Sequence, residues 1–270
     1  MKRMWRSSEK MSRVNIKRQN EHKNTGQHIS KTHKNPNINS SPESDANIHF
    51  ERVGFRYGRE GEILSDVSFS LPPGSMTFII GPSGAGKSTL LKLIYLHMRQ
   101  SRGHITLFGR DTSQIERKEI PALKRRMGIV LQDFRLIDHL NVYENVALPL
   151  RVARSKREDY REDVLGLLKW VGLGSRAHAL PPTLSGGEKQ RAAIARAVIT
   201  KPDILIADEP TGNVDADMGR RLIRLFSELN RLGTTTIIAT HNTALIPEDA
   251  NMLSIEHGQV KGNINGEQIG

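Results

Sequence analysis

Met76-Thr-Phe-Ile-Ile-Gly-Pro-Ser-Gly-Ala-Gly-Lys-Ser-Thr89 is the stretch that decides the architecture. Met76 to Ile80 is a short apolar run with a glycine directly after it. From Lys87 to about Met98, Leu90, Leu91, Ile94 and Met98 recur at helical spacing. Between the two lies Gly81-Pro82-Ser83-Gly84-Ala85-Gly86-Lys87-Ser88-Thr89, which satisfies G-x-x-x-x-G-K-[ST] after a strand and at the opening of a helix. Glycines let the backbone curl so that several N–H groups face one anion, and the helix N-terminus adds positive potential. The segment therefore predicts a phosphate cradle. Lys87 should reach the β- and γ-phosphates, and the Ser88 hydroxyl should hold Mg²⁺. A glycine-rich turn with a stray lysine is the plain alternative, and the flanking strand and helix speak against it.

Downstream, Ile204-Leu-Ile-Ala-Asp208-Glu209-Pro210 places two carboxylates where an apolar strand emerges. Neighbouring strand residues point to opposite sides. Asp208 is thus expected to face Mg²⁺ through water, and Glu209 to face an attacking water as general base. Two ordinary acids at a solvated strand end would not account for the Thr-Gly-Asn that follows. The runs at 204–207 and 235–239 look like strands buried on both faces of a parallel sheet. An amphipathic helix is predicted between them over 216–231, with Leu222, Leu225, Phe226 and Leu229 inward. Strand, helix, strand at this spacing predicts a right-handed βαβ unit. Ile48-His-Phe-Glu-Arg-Val53 alternates as a half-exposed strand does. A second strand is predicted at 66–71, ended by Pro72-Pro73-Gly74, and residues 133–200 read as mostly helical. The fold class is α/β with a helical insertion.

Composition sets the outer limits. The absence of cysteine from 270 residues excludes disulfides, thiolate metal sites and cysteine nucleophiles, and fits a reducing cytosol. The net charge of +11 is unevenly spread: residues 1–46 hold ten Lys/Arg against four acids and carry +6 of it. That stretch is rich in Asn, Ser and basic residues with few large apolar groups, so a disordered basic extension is expected, with Met11 a second candidate start inside it. A basic tail could lie on anionic lipid or nucleic acid; a solvated tail is the simpler reading. No segment approaches the ~20 apolar residues of a membrane span. The longest candidate, Leu90 to Met98, is broken by Lys92 and His97. The leader lacks a signal peptide's apolar centre, so a soluble chain is expected.

Leu184-Ser185-Gly186-Gly187-Glu188-Lys-Gln-Arg191 lies between the cradle and the acid pair. Its serine and glycines would expose backbone donors at the start of a helix, repeating the logic of the cradle. Here the sequence resembles the ABC-type ATPases, for which this segment is diagnostic, and the resemblance covers about residues 48–260. It implies a P-loop NTPase (RecA-like) core with a mostly parallel sheet, an antiparallel β subdomain near the N-terminus and an ABC-type helical subdomain at about 133–200. All of this would lie within one ATPase domain spanning 47–270. It further implies ATP and Mg²⁺ as cofactors and hydrolysis of ATP to ADP and phosphate. Ser185 to Gly187 would bind the γ-phosphate held by an opposite subunit, so one cradle and one signature per chain imply a homodimer.

Other positions follow residue by residue. Tyr57 matches the aromatic that stacks on adenine, and Gln132 the glutamine that touches Mg²⁺ or water and senses a membrane partner. Asp215 matches the loop that communicates across the dimer, and His241 the histidine contacting the γ-phosphate. The implied catalytic set is Glu209, His241, Gln132 and Lys87, with Ser88, Gln132 and Asp208 at the metal. Asn242 stands where Asp is usual and Val214 where Leu is usual; neither change removes a catalytic group.

Several strings are similar to the FtsE cell-division subfamily, among them Gln132-Asp-Phe-Arg-Leu136, Val142-Tyr-Glu-Asn-Val-Ala-Leu-Pro149 and Asp208-Glu-Pro-Thr-Gly-Asn213. That resemblance implies a polytopic, permease-like membrane partner of the FtsX type seated near residues 134–145. It also implies a peripheral position on the cytoplasmic face of the bacterial inner membrane and motion passed to cell-wall enzymes. Lipoprotein-releasing and efflux ATPases share two of these strings and remain alternatives, as does a nucleotide-gated scaffold with little turnover. No nucleic acid is expected as partner, because the long coiled coil of DNA-repair members and the paired cassettes of translation factors are both missing.

Overall fold

The computed structural model describes residues 47–59, 61–153, 157–248, 250–264 and 266–269. The basic extension expected over 1–46 lies outside them. Eleven strands appear among the described residues: β1 (Ile48–Phe55), β2 (Leu64–Leu71), β3 (Met76–Ile80), β4 (Arg102–Leu107), β5 (Arg110–Asp111), β6 (Met127–Val130), β7 (Ile204–Asp208), β8 (Thr235–Ala239), β9 (Asn251–Glu256), β10 (Gln259–Ile264) and β11 (Glu267–Ile269). The helices are α1 (Lys87–Ile94), α2 (Ile120–Lys124), α3 (Val142–Val152), α4 (Arg157–Trp170), α5 (Gly186–Val198) and α6 (Ala216–Arg231).

Two sheets form. An antiparallel sheet of order β2-β1-β4-β5 uses the N-terminal strands, and a seven-stranded sheet of order β11-β10-β9-β3-β8-β7-β6 uses the rest. From β9 to β6 the larger sheet is parallel, with an antiparallel hairpin and edge added by β10 and β11. One apolar core joins Phe50, Leu64 and Ile105 of the smaller sheet to Leu90 and Ile94 of α1 and to Ile79, Ile206 and Ile237 of the larger sheet. The alternate residues Phe78, Leu205 and Ile238 are equally buried on the opposite face, where α6 packs against β8 through Leu222, Leu225, Phe226 and Leu229. Being apolar on both faces is what a central parallel strand requires. Each large side chain so buried contributes roughly 1.5–3 kcal/mol.

Two local expectations need revision. The helix predicted through residue 98 ends at Ile94. Leu96 adopts φ 55°, and the N–H groups of Leu96 and His97 bond back to the carbonyls of Leu93 (3.1 Å) and Lys92 (2.9 Å). This is a left-handed helix stop of the kind glycine usually makes; a leucine in that place gives the sequence reader no warning. The segment 133–141 is a loop rather than helix. It is pinned by Asn145, a fully buried amide on α3 whose Nδ2 donates to the carbonyls of Ile137, Leu140 and Asn141 while its Oδ1 accepts from Ile137 N–H at 2.8 Å. A buried amide must find such partners, and here they dictate the course of the loop.

Candidate functional site

Parallel register brings four strand ends to one edge. Ile79 of β3 pairs with Ala239 of β8, Ala239 with Asp208 of β7, and Ala207 with Val130 of β6. The segments leaving those ends carry Gly81 to Thr89, Thr240 and His241, Asp208 and Glu209, and Gln132. Ligands of open parallel sheets sit at the carboxyl ends of the strands, so the predicted residues meet where such a site belongs.

The loop from Gly81 to Gly86 has the conformation its glycines permit. Gly81, Gly84 and Gly86 hold φ of 150°, 81° and 110°, and a β-carbon on Gly81 would come within 2.5 Å of the Ile255 carbonyl. Lys87, buried at the start of α1, turns back so that its Nζ donates to the carbonyls of Gly81 (2.7 Å) and Pro82 (3.0 Å). Tyr57 is 38% exposed rather than in the core. Its ring meets Phe55 edge-on, and its hydroxyl lies 3.4 Å from Thr89 Oγ1, which sets an open aromatic beside the cradle.

The two acids part company, though not through strand alternation. Asp208 is the last residue of β7, whereas Glu209 leaves the strand in the left-handed region at φ 49°. Asp208 is 9% exposed, and burial pushes its carboxyl above the usual range against a lowering hydrogen bond from Ser88. Glu209 turns towards β8: its Oε2 lies 2.9 Å from His241 Nδ1 and accepts from the His241 backbone N–H at 3.4 Å. The Glu209 side chain is 15% exposed and that of His241 71%, so the acid is enclosed and the histidine faces out. Gln132 is exposed just past β6.

Ser185 caps α5, accepting from Glu188 N–H at 3.2 Å while its own N–H donates to Glu188 Oε2 at 2.8 Å, an N-terminal capping box. These bonds hold the Glu188 carboxyl below its ordinary range. Leu184 is buried beneath the cap. The two glycines differ. A β-carbon on Gly187 would stand 2.8 Å from the Asn213 carbonyl, so that position is fixed by packing. Gly186 is exposed, and among the described residues, the cradle of its own chain included, a β-carbon there would meet nothing within 4 Å. Asp215 caps α6 through Met218 N–H at 2.8 Å.

Gln190 and Arg196 on α5 are site-shaping residues the sequence reading passed over. Gln190 is 2% exposed, with its Nε2 on the Glu209 carbonyl (2.9 Å) and its Oε1 accepting from Asn213 N–H (3.1 Å). Arg196 donates to the carbonyls of Arg135 (2.7 Å) and Phe134 (2.9 Å), which are successive left-handed residues at φ 45° and 57°. Burial lowers the pKa of this guanidinium. The available cue was polarity on an inward face: Gln190 falls a helical turn from the buried Ala193 and Ile194.

A glycine-curled loop opening a helix, an acid pair at the end of β7, two strands away in the same sheet, and a separate side-chain-capped helix start with an unfilled glycine define an ATP-binding cassette. The ABC transporter family matches residues 64–212, and the chain belongs to it. It is an ATPase subunit of the FtsE-like kind. The cell division ATP-binding protein FtsE of Escherichia coli K12 is 44% identical over 221 residues, 82% of this chain and 100% of that protein. Among solved structures, the cassette MJ0796 in dimeric form superposes with a TM-score of 0.75 at 33% identity, over 79% of this chain and 96% of that one. Its post-hydrolysis dimer bound to ADP and Pi gives 0.74 at 32%, with the same coverage.

Proposed function

We propose that two copies of this chain close head-to-tail on two ATP molecules, each clasped by the cradle of one copy and the Ser185–Gly187 segment of the other. The observation that carries this reading is Gly186, a helix-start glycine that no packing among the described residues explains. In each site Lys87 moves from its own loop carbonyls to the β- and γ-phosphates, and Tyr57 stacks on adenine. Glu209 takes the proton of the attacking water, while His241, already bonded to Glu209, contacts the γ-phosphate. Asp215 carries the state of one site to the other across the dimer. The Ser88 hydroxyl, the Asp208 carboxyl and the Gln132 amide are hard oxygen donors that suit Mg²⁺; bound there, the ion would offset charge developing on the phosphates. With Lys87→Ala, ATP affinity by calorimetry is expected to fall roughly 10- to 100-fold, the worth of one charge-assisted contact. Unchanged affinity would remove Lys87 from the site.

Opening and closing of the dimer would work on an FtsX-type polytopic membrane protein, which places the subunit at the cytoplasmic face of the inner membrane in the service of cell division. Among the described residues no helix is long and apolar enough to cross a membrane. A groove of about 1010 Å³ suits the partner's docking segment. Met127 and Ile129 of the edge strand β6, Leu148 and Val152 of α3, and Lys124 and Arg196 form its walls, and Arg117 and Arg125 add positive charge. Arg196 joins this groove to the 134–135 loop, within the 134–145 stretch expected from sequence to meet the partner. A photo-crosslinker at Val152 is expected to capture a polytopic membrane protein from native membranes, and phosphate release is expected to rise when that protein is co-purified. Capture of a lipoprotein-releasing or efflux permease would redirect the assignment, and equal release with and without the partner would count against coupling.

A further inference from the structure

We propose that Gln190 is a positioning residue for hydrolysis, fixing the left-handed peptide from which Glu209 projects and tying that peptide to the helix that begins at Ser185. The inference rests on the reading of Glu209 as general base.

Its ground is the backbone of Glu209. A left-handed conformation costs a β-carbon-bearing residue roughly 1–2 kcal/mol, and Pro210 restricts its predecessor towards extended backbone. Such a residue keeps its conformation only where its surroundings over-determine it. Here the Glu209 N–H donates to the Ala239 carbonyl at 2.9 Å, and its carbonyl accepts from Gly212 N–H at 3.2 Å and from Gln190 Nε2 at 2.9 Å. Of these three restraints only Gln190 is a side chain, and only Gln190 comes from a helix. Its other end accepts from Asn213 N–H, so one buried amide spans both ends of the 209–213 turn. Without it the Glu209 carbonyl keeps only the longer bond from Gly212 N–H, the peptide after Glu209 is held more loosely, and the carboxylate shifts with it. Displacement of a reacting group by about 1 Å can cost roughly 100-fold in rate.

The same amide has a second consequence. Gln190 lies on α5, whose first turn holds the exposed Ser185 and Gly186, and Gly187 packs on the Asn213 carbonyl. The segment expected to grip the partner copy's nucleotide and the acid expected to attack the chain's own nucleotide are therefore parts of one hydrogen-bonded unit.

The test is a double-mutant cycle on turnover and ATP binding. Gln190→Met keeps the shape and removes both hydrogen bonds; Gln190→Glu keeps the acceptor for Asn213 N–H and removes the donor to Glu209, which preserves a reading should the first variant fold poorly. Each is expected to lower kcat by about 10- to 100-fold with KM and calorimetric ATP affinity within about twofold of the parent. In a Glu209→Gln background, the same changes are expected to have no further effect on the residual rate, because they act through the Glu209 carboxylate. A purely structural role would instead lower ATP affinity and melting temperature in step with rate. That pattern, a parental kcat, or a full additional loss in the Glu209→Gln background overturns the proposal. Should Glu209→Gln itself keep parental turnover, the general-base reading fails separately and is recognisable as such.

Discussion

Replacing Glu209 by Gln is expected to lower ATP turnover by about 10²- to 10⁴-fold, the usual worth of a general base, and to leave a long-lived ATP-bound dimer. The substitution preserves size and the acceptor that meets the His241 N–H, so the 209–213 turn keeps its shape while the proton acceptor is lost. Nothing in the change weakens the cradle, whose Gly81 and Lys87 both follow another strand, β3. Binding and closure therefore go forward, and the step that releases them does not. Phosphate release and light scattering in saturating Mg-ATP measure the two halves of this expectation. A variant that stays monomeric with ATP bound would contradict the clasped dimer.

Gly186→Asp separates assembly from folding. The position is the first of α5, it has room for a side chain, and an acid at a helix start gains roughly 0.3–1 kcal/mol from the helix dipole. Melting temperature is thus expected to hold or rise slightly, and ATP affinity of the single chain to stay within about twofold. A carboxylate aimed at the partner's γ-phosphate replaces attraction by repulsion, and turnover is expected to drop at least about 100-fold, comparable with losing an anion-stabilising donor. Parental turnover in this variant would mean that the signature segment meets no phosphate.

The sequence made the parallel strands and α6 legible because their patterns are extreme: 204–207 is apolar without interruption, 235–239 is a charge-free run of β-branched residues ending in Ala239, and the inward set of α6 recurs at helical spacing. The cradle was legible because its glycines and lysine are chemically irreplaceable in that order. What stayed hidden was set by contacts distant in sequence. Glu209 diverges from Asp208 through a left-handed backbone enforced by Ala239 and Gln190, and no strand periodicity reports that. Leu96 ends α1 without a glycine, and Asn145 converts a stretch read as helical into a pinned loop. Gln190 and Arg196 were overlooked for one reason. Each satisfies a backbone carbonyl that sequence alone does not show to be in need of a partner.

The paired left-handed residues Phe134 and Arg135 carry a last consequence. Their conformation costs about 2–4 kcal/mol together, and two bonds from one guanidinium contribute roughly 3–6 kcal/mol before side-chain ordering is counted. The opposing terms are close, so this loop is poised like a sprung latch. A carboxylate entering the groove and drawing Arg196 to itself would free both carbonyls at once, leaving the loop to the backbone bonds of Phe134 and Arg135 to Leu131 and Asp133 and to the Arg135–Asp133 pair.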